Sequence, residues 1–204
     1  MLLRIHPDNP EQRKINQVIE TMQAGGVIIY PTDTVYGLGC DILQPRAVDK
    51  ICAIRGLDPN KAMLTMICKD ISQVAAYAQQ IDNQVYRILR KHLPGPFTFV
   101  LKAGRLAPKV FHNRKNTIGF RIPDNPIAQA IVDTLGRPIL SASLKSDDEI
   151  LEYFTDPEDI FRDFQKIVDI VIDGGIGNNV PSTIVDCTGD EPEIIREGAG
   201  TLEI

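Results

Sequence analysis

The chain has 204 residues, 43% of them hydrophobic and 24% charged, with a net charge of -5. This balance excludes a disordered or fibrous protein and is enough for one hydrophobic core, so a single domain over 1–204 is expected. No apolar run approaches the roughly 18 residues of a membrane-spanning helix, and Met1 to Pro7 is too short for the apolar core of a secretion signal, so a soluble, cytoplasmic protein is expected.

Asp8-Asn9-Pro10 supplies an N-cap and a first-turn proline, and Ile15, Val18, Ile19 and Met22 then recur at helical spacing until Gly25. Val27 to Tyr30 predicts a buried strand that ends at Pro31. Beyond it, Thr32, Asp33, Thr34 and Tyr36 crowd hydroxyls and a carboxylate into a loop, and Gly37 and Gly39 let backbone approach closely. A polar loop at the end of a buried strand is where open α/β sheets hold ligands.

Pro45 opens a second helix with Val48, Ile51 and Cys52 on one face, closed by Gly56. After a loop over 57–61, Met63 to Cys68 predicts a strand, Ile71 to Tyr77 a short helix, and Asp82 the cap of a longer one with Val85, Ile88 and Leu89 inward. Pro94-Gly95-Pro96 turns the chain into a strand over Phe97 to Leu101. Lys102 to Asn116 is basic and irregular, Thr117 to Ile122 a strand, and Asp124-Asn125-Pro126 starts a helix ended by Gly136. Pro138 to Ser143 predicts a strand running into a second hydroxyl-rich end. Leu144 to Thr155 is acidic and expected to be mobile, and Asp156-Pro157 caps a helix to Phe164. Strands are predicted over Ile167 to Ile172, Thr183 to Cys187 and Glu193 to Arg196. The architecture expected is α/β: a twisted mixed sheet flanked by helices.

Charge is unevenly distributed. Arg87 to Arg121 holds nine Lys or Arg and no acid, whereas Asp147 to Asp163 holds eight acids and one Arg. Such asymmetry can make a basic face that suits a polyanion, although Arg87, Arg90 and Lys91 also read as solvated helix charges. Cys40, Cys52, Cys68 and Cys187 lack metal-ligand or redox spacing and read as buried thiols of a reduced protein. His6, His92 and His112 show no ligand spacing, so no protein-held metal is expected. P-loop, dinucleotide-binding and nucleophile-elbow motifs are absent. What remains is a set of hydroxyls and cations at strand and loop ends: Thr34, Tyr36, Arg55, Lys61, Thr117, Arg121, Ser141, Ser143, Ser182, Thr183 and Arg196. Singly, such residues usually satisfy backbone groups; together they offer donors and positive charge to a nucleotide triphosphate and an amino-acid carboxylate.

Tyr30-Pro31-Thr32-Asp33-Thr34-Val35-Tyr36-Gly37-Leu38-Gly39 resembles the signature of the YrdC/YciO family, the threonylcarbamoyl-AMP synthases and their relatives. The resemblance extends over roughly residues 11–199 through Pro94-Gly95-Pro96-Phe97-Thr98, Thr117 to Pro123, Ser182-Thr183-Ile184-Val185-Asp186 and Ile195-Arg196-Glu197-Gly198. It implies a single YrdC-like domain with a basic concave face. It also implies a reaction in which L-threonine, bicarbonate and ATP, with Mg²⁺, become threonylcarbamoyl-AMP and pyrophosphate for tRNA modification.

By this resemblance Thr34, Tyr36, Arg121, Ser143 and Ser182 bind threonine. Thr117, Ser141 and Arg196 lie around ATP, with Arg55 and Lys61 as catalytic cations. Three departures from the synthase pattern, at Leu57, Met66 and Lys145, resemble the YciO branch and point to a slow enzyme or a non-synthase. The rivals are a protein that binds tRNA or double-stranded RNA through Lys109, Arg114 and Lys115 without synthesis, and an enzyme acting on another adenylate or the modified nucleoside.

Overall fold

The computed structural model describes residues 1–56, 58, 64–109, 116–145 and 153–203. Among these, the strands are β1 (Leu2–Arg4), β2 (Ile28–Tyr30), β3 (Gly37–Asp41), β4 (Thr65–Ile67), β5 (Phe97–Lys102), β6 (Thr117–Arg121), β7 (Ile139–Ser143), β8 (Ile170–Asp173), β9 (Thr183–Asp186) and β10 (Glu193–Arg196). The helices are α1 (Gln12–Gln23), α2 (Pro45–Ile54), α3 (Ile71–Tyr77), α4 (Asn83–His92), α5 (Pro126–Leu135) and α6 (Pro157–Phe164). The strands form one mixed sheet in the order β1-β8-β2-β3-β7-β4-β6-β5-β9-β10.

Helix starts follow side-chain chemistry. The carboxylates of Asp70, Asp82 and Asp156 and the amide oxygen of Asn125 accept N–H groups that the first turns of α3, α4, α6 and α5 would leave unpaired. α1 is the exception. It begins after Glu11 with no side-chain cap, three residues beyond Asp8. The expected cap is displaced because the backbone N–H groups of Asp8 and Asn9 bond His6 Nδ1, making a separate turn.

A second correction concerns the signature loop. Gly37 to Asp41, read as loop, is a fully buried strand paired antiparallel with β2 and β7. Its glycines are there for packing: a Cβ on Gly39 would lie 2.8 Å from Cε1 of Tyr30 and 3.1 Å from Cγ2 of Ile139. The Tyr30 ring thus lies flat across β3. Strand β1 was also missed, being three residues long and half-exposed, with no alternation to reveal it.

The acidic stretch after β7 is better anchored at its described ends than expected. Leu144 and Tyr153 are buried, Lys145 pairs with Tyr153, and Phe154 meets Phe164 edge-on. Residues 146–152 lie outside the described set.

Residues paired directly across strands share a face of the sheet, and alternate residues take opposite faces. One face carries Ile29, Leu38, Cys40, Met66, Phe99, Ile118, Phe120, Leu140 and Val185, all buried and packed with α2, α3, α4 and α6. On the other face α1 and α5 cover only one half, through Ile28, Tyr30, Ile67, Ile139, Ile170 and Ile172. The remaining half is lined by small and polar residues. Gly39, Ser141, Thr65 and Gly119 are in register across four strands, with Thr65 and Gly119 half-buried while Met66 and Phe120 beside them are sealed. Among the described residues no helix covers this polar half, and there the fold leaves room for a ligand.

The packing of Tyr30 against bare backbone gives a stability prediction. Gly39→Ala should lower the urea midpoint by the equivalent of about 1–3 kcal/mol through overpacking, because ring and Ile139 must both shift. An unchanged midpoint would show that the ring has space the packing does not indicate.

Candidate functional site

After β2, residues 31–36 fold back over the half-covered face, and their centre is an ion pair. Arg121, the last residue of β6, donates from Nη2 to Asp33 Oδ1 at 2.6 Å. Their side chains are only 8% and 9% exposed. Burial pulls the guanidinium below its usual range, Asp33 opposes that shift, and the nearby Arg196 adds to it. The pair is half-made: Arg121 Nε and Asp33 Oδ2 are both buried without hydrogen-bond partners. Buried polar atoms of this kind are rare and mark places where binding or strain is stored.

The loop around Asp33 is held in place by its own hydroxyls. Thr32 Oγ1 donates to Val35 O and accepts the Thr34 N–H, with Thr34 Oγ1 at 3.2 Å. The connection from β8 to β9 adds a second restraint. Asn178 N–H bonds Thr34 O, Asn178 Nδ2 reaches Asp33 O, and Tyr36 O–H donates to Gly175 O at 2.6 Å.

β8 is second and β9 ninth in the sheet, seven strand spacings apart, a path of about 34 Å. From Asp173 to Thr183 an extended chain reaches only about 33–36 Å. The connection bends at Gly175, Asn179 and Val180, so it takes a shorter course than the path along the strands and crosses the twisted sheet as a strap, passing beside Asp33 and Thr34 before entering the far side of the polar half.

At that far side, Ser182 and Thr98 are 96% and 94% buried, with their hydroxyl oxygens 2.7 Å apart. Arg196 donates to Ser182 O from Nε at 3.2 Å and from Nη2 at 2.7 Å, with Nη2 also 3.3 Å from Ser182 Oγ. Thr98 leans over Gly119, where a Cβ would meet its methyl at 3.1 Å.

The sequence-derived candidates divide on this geometry. Thr34, Arg121, Ser182 and Arg196 come together around the polar half; Ser143 and Thr117 are half-buried at one end of it, opposite Gly37 and Lys102. Ser141 faces the same side, but its hydroxyl donates to Leu38 O and bonds Tyr30 O–H, so both roles are used within the protein. Tyr36 likewise commits its hydroxyl to the strap. Arg55 is the half-buried C-cap of α2. Lys109 is exposed, while Lys61, Leu57, Arg114 and Lys115 lie outside the described residues.

Of the departures, Met66 is sealed in the helix-packed face and away from the polar half. Lys145 is exposed, with Nζ 5.8 Å from the Tyr153 ring centre.

Sequence reasoning assigned no role to Asp33, Thr98 or Asn178. A buried arginine at a strand end signals that a carboxylate must meet it, which points to the acid in the signature loop. Thr98 and Asn178 had no such signal, since only tertiary pairing brings them in. The thiols of Cys40 and Cys68 are pushed up by burial, and that of Cys187 up to about 12 for the same reason, so none is poised as a nucleophile. Among the described residues no group of three His, Cys, Asp or Glu side chains could hold a metal, and no helix is long and apolar enough to cross a membrane.

A mixed sheet with a hydroxyl-rich face, a glycine-backed tyrosine and a folded-back acidic loop defines a YrdC-type α/β protein. The Sua5_yciO_yrdC family model, described as telomere recombination, matches residues 20–198, and the chain belongs to that family. It is 43% identical over 201 residues to the uncharacterized protein YciO of Escherichia coli (strain K12), covering 98% of this chain and 96% of that one. The crystal structure of E. coli YciO superposes with a TM-score of 0.92 at 42% identity, covering 98% of this chain and 97% of that chain. A threonylcarbamoyl-AMP synthase of Pyrococcus abyssi (strain GE5 / Orsay) is 29% identical, covering 95% of this chain and 56% of the relative. The crystal structure of P. abyssi Sua5 complexed with L-threonine gives a TM-score of 0.87 at 27% identity, covering 97% of this chain and 57% of that chain.

Tyr30 at the border of the polar half carries a pH prediction. Burial pushes its phenol up to about 12, while the unfolded value is about 10. Between these values the unfolded chain has lost the proton and the folded chain keeps it, so stability falls as pH rises from about 10 to 12. Tyr36 is raised in the same direction by burial. Relative to its own stability at neutral pH, Tyr30→Phe should lose less across that window in alkaline denaturation, and its ultraviolet titration should lack one late-ionising tyrosine. Parallel curves would contradict the assignment.

Proposed function

We propose that the polar half of the sheet binds L-threonine and ATP, and that the protein joins them with bicarbonate into threonylcarbamoyl-AMP, slowly, for tRNA modification. The observation that carries this reading is Arg121: a buried guanidinium fixed on one side by Asp33, with Nε left over beside a hydroxyl-lined face that no helix covers among the described residues. Such a group binds a carboxylate with charge-assisted hydrogen bonds, and a family relative is known in complex with L-threonine.

In this reading Arg121, Thr34, Ser143 and Ser182 hold the amino acid. Thr117, Arg196, Lys61 and Arg55 surround the nucleotide, and Ser141 shapes the floor beneath Tyr30. Mg²⁺ enters as the companion of ATP's phosphates, which it binds with few protein ligands, so it belongs to the substrate. The threonine nitrogen adds to bicarbonate, releasing water. One carbamate oxygen then attacks the α-phosphorus, and pyrophosphate departs. The residues contribute position and charge neutralisation. A slow reaction follows from the departures at Leu57, where a leucine stands in place of a phosphate-binding guanidinium, and at Lys145, where an ammonium cannot accept a hydrogen bond.

Incubation with ATP, Mg²⁺, bicarbonate and L-threonine should yield threonylcarbamoyl-AMP by mass, and calorimetry should detect L-threonine binding. Arg121→Met should weaken that binding by about 10- to 100-fold, the equivalent of charged hydrogen bonds lost. No heat with L-threonine, with or without ATP, under conditions where an active synthase binds it, would sink the proposal.

The second reading, RNA binding, is favoured by the exposure of Arg87, Arg90, Lys91, Lys102, Arg105 and Lys109. Replacing Lys109, Arg114 and Lys115 together by alanine should flatten the dependence of double-stranded RNA affinity on salt by roughly one unit of slope per lost phosphate contact. An unchanged slope would remove these three residues from any RNA interface.

A further inference from the structure

The Thr98–Ser182 pair has one hydroxyl proton too many. A hydroxyl brings one donor and two acceptor sites. Between Thr98 Oγ1 and Ser182 Oγ, 2.7 Å apart, a single proton suffices, and the other contact described for either hydroxyl is Arg196 Nη2 at 3.3 Å from Ser182, which can only donate. One O–H therefore has no acceptor among the described residues, on side chains 94% and 96% buried. A buried donor without a partner is costly, so such a proton implies an acceptor that arrives from outside. The Tyr30–Ser141 pair on the same face makes the contrast, because its second proton ends on Leu38 O.

Electrostatics decides which hydroxyl keeps the spare proton. The Arg196 cation beside Ser182 Oγ turns the serine O–H dipole away from itself and toward Thr98. Donation then runs from Arg196 to Ser182 to Thr98, and the Thr98 O–H is the free end. Phe99 pairs with Phe120, so Thr98 lies beside Arg121 on the same face of the sheet, its methyl against Gly119. Arg121 there has its Nε unpartnered. Donors of a hydroxyl and a guanidinium on adjacent strands converge on one kind of ligand atom, an anionic oxygen.

We infer that Thr98 is a further substrate-binding residue, which donates its hydroxyl proton to the carboxylate of the amino-acid substrate alongside Arg121, with Ser182 and Arg196 orienting that proton. This rests on the proposed binding of L-threonine. It adds a contact at the start of β5, and it gives Ser182 and Arg196, besides their proposed ligand contacts, the role of orienting Thr98.

The test is calorimetric, with the full chain in the presence and absence of MgATP. Thr98→Val keeps the shape and removes the donor, whereas Thr98→Ser keeps the donor. Val should weaken L-threonine binding by about tenfold or more, with a thermal midpoint close to that of the wild type, because the unpartnered Thr98 donor is removed while the Ser182 O–H loses its acceptor. Ser should bind within about threefold of the wild type. L-Threoninol, which lacks the carboxylate, should bind weakly to the wild type and no more weakly to Thr98→Val. Wild-type affinity in Thr98→Val, or an equal loss for L-threonine and L-threoninol, would overturn the inference while leaving the proposed function standing. A wild-type protein that binds no L-threonine would overturn both.

Discussion

A guanidinium cannot be enclosed in a protein without a counter-charge, and the site is arranged around that requirement. Arg121 stands at the end of β6 with its side chain almost sealed, so a carboxylate must come to it from elsewhere in the chain. Removing that carboxylate would leave an uncompensated buried charge, a loss of about 3–5 kcal/mol. Asp33 meets the need only because residues 31–36 turn back over the sheet. That turn is possible because Pro31 ends β2 and Thr32 ties the loop to itself. The strap from β8 to β9 then donates, through Asn178, to the successive carbonyl oxygens of Asp33 and Thr34.

The same strap joins the two parts of the site. It begins beside Pro31 and α5, where Gly174 packs closely, and ends at Ser182, held by Arg196. Its hydrogen bonds to Tyr36, Thr155, Thr34 and Asp33 fix its course between the acidic loop and the Thr98–Ser182 pair. The sheet beneath supplies a flat floor, because Gly37, Gly39 and Gly119 carry no side chain and Tyr30 lies across the first two. Polar groups are thus held around a space kept clear by glycine.

Much of this was legible along the chain. The helices were read from apolar spacing and from Asp82, Asn125 and Asp156, because caps and 3.6-residue periodicity are local properties. The signature loop stood out through its density of hydroxyls next to glycine. β3 was missed because Gly37-Leu38-Gly39-Cys40-Asp41 has low intrinsic strand propensity; it forms because strands on both sides supply hydrogen bonds. Site residues identified by type, such as Ser141 and Tyr36, proved to have hydroxyls engaged internally, since a hydroxyl's partner is invisible in sequence.

What the sequence determined by itself was therefore the set of elements, the apolar faces of the helices and the concentration of polar groups at strand ends. All of these follow from steric preference and solvation acting over a few residues. Only the tertiary structure decided which strands are neighbours, that α1 and α5 cover just half of one face, and that Asp33 meets Arg121 while Thr98 meets Ser182. Those pairings join residues 88 and 84 positions apart. They depend on strand order and register, which are settled by the burial of the whole sheet and not by any segment of it.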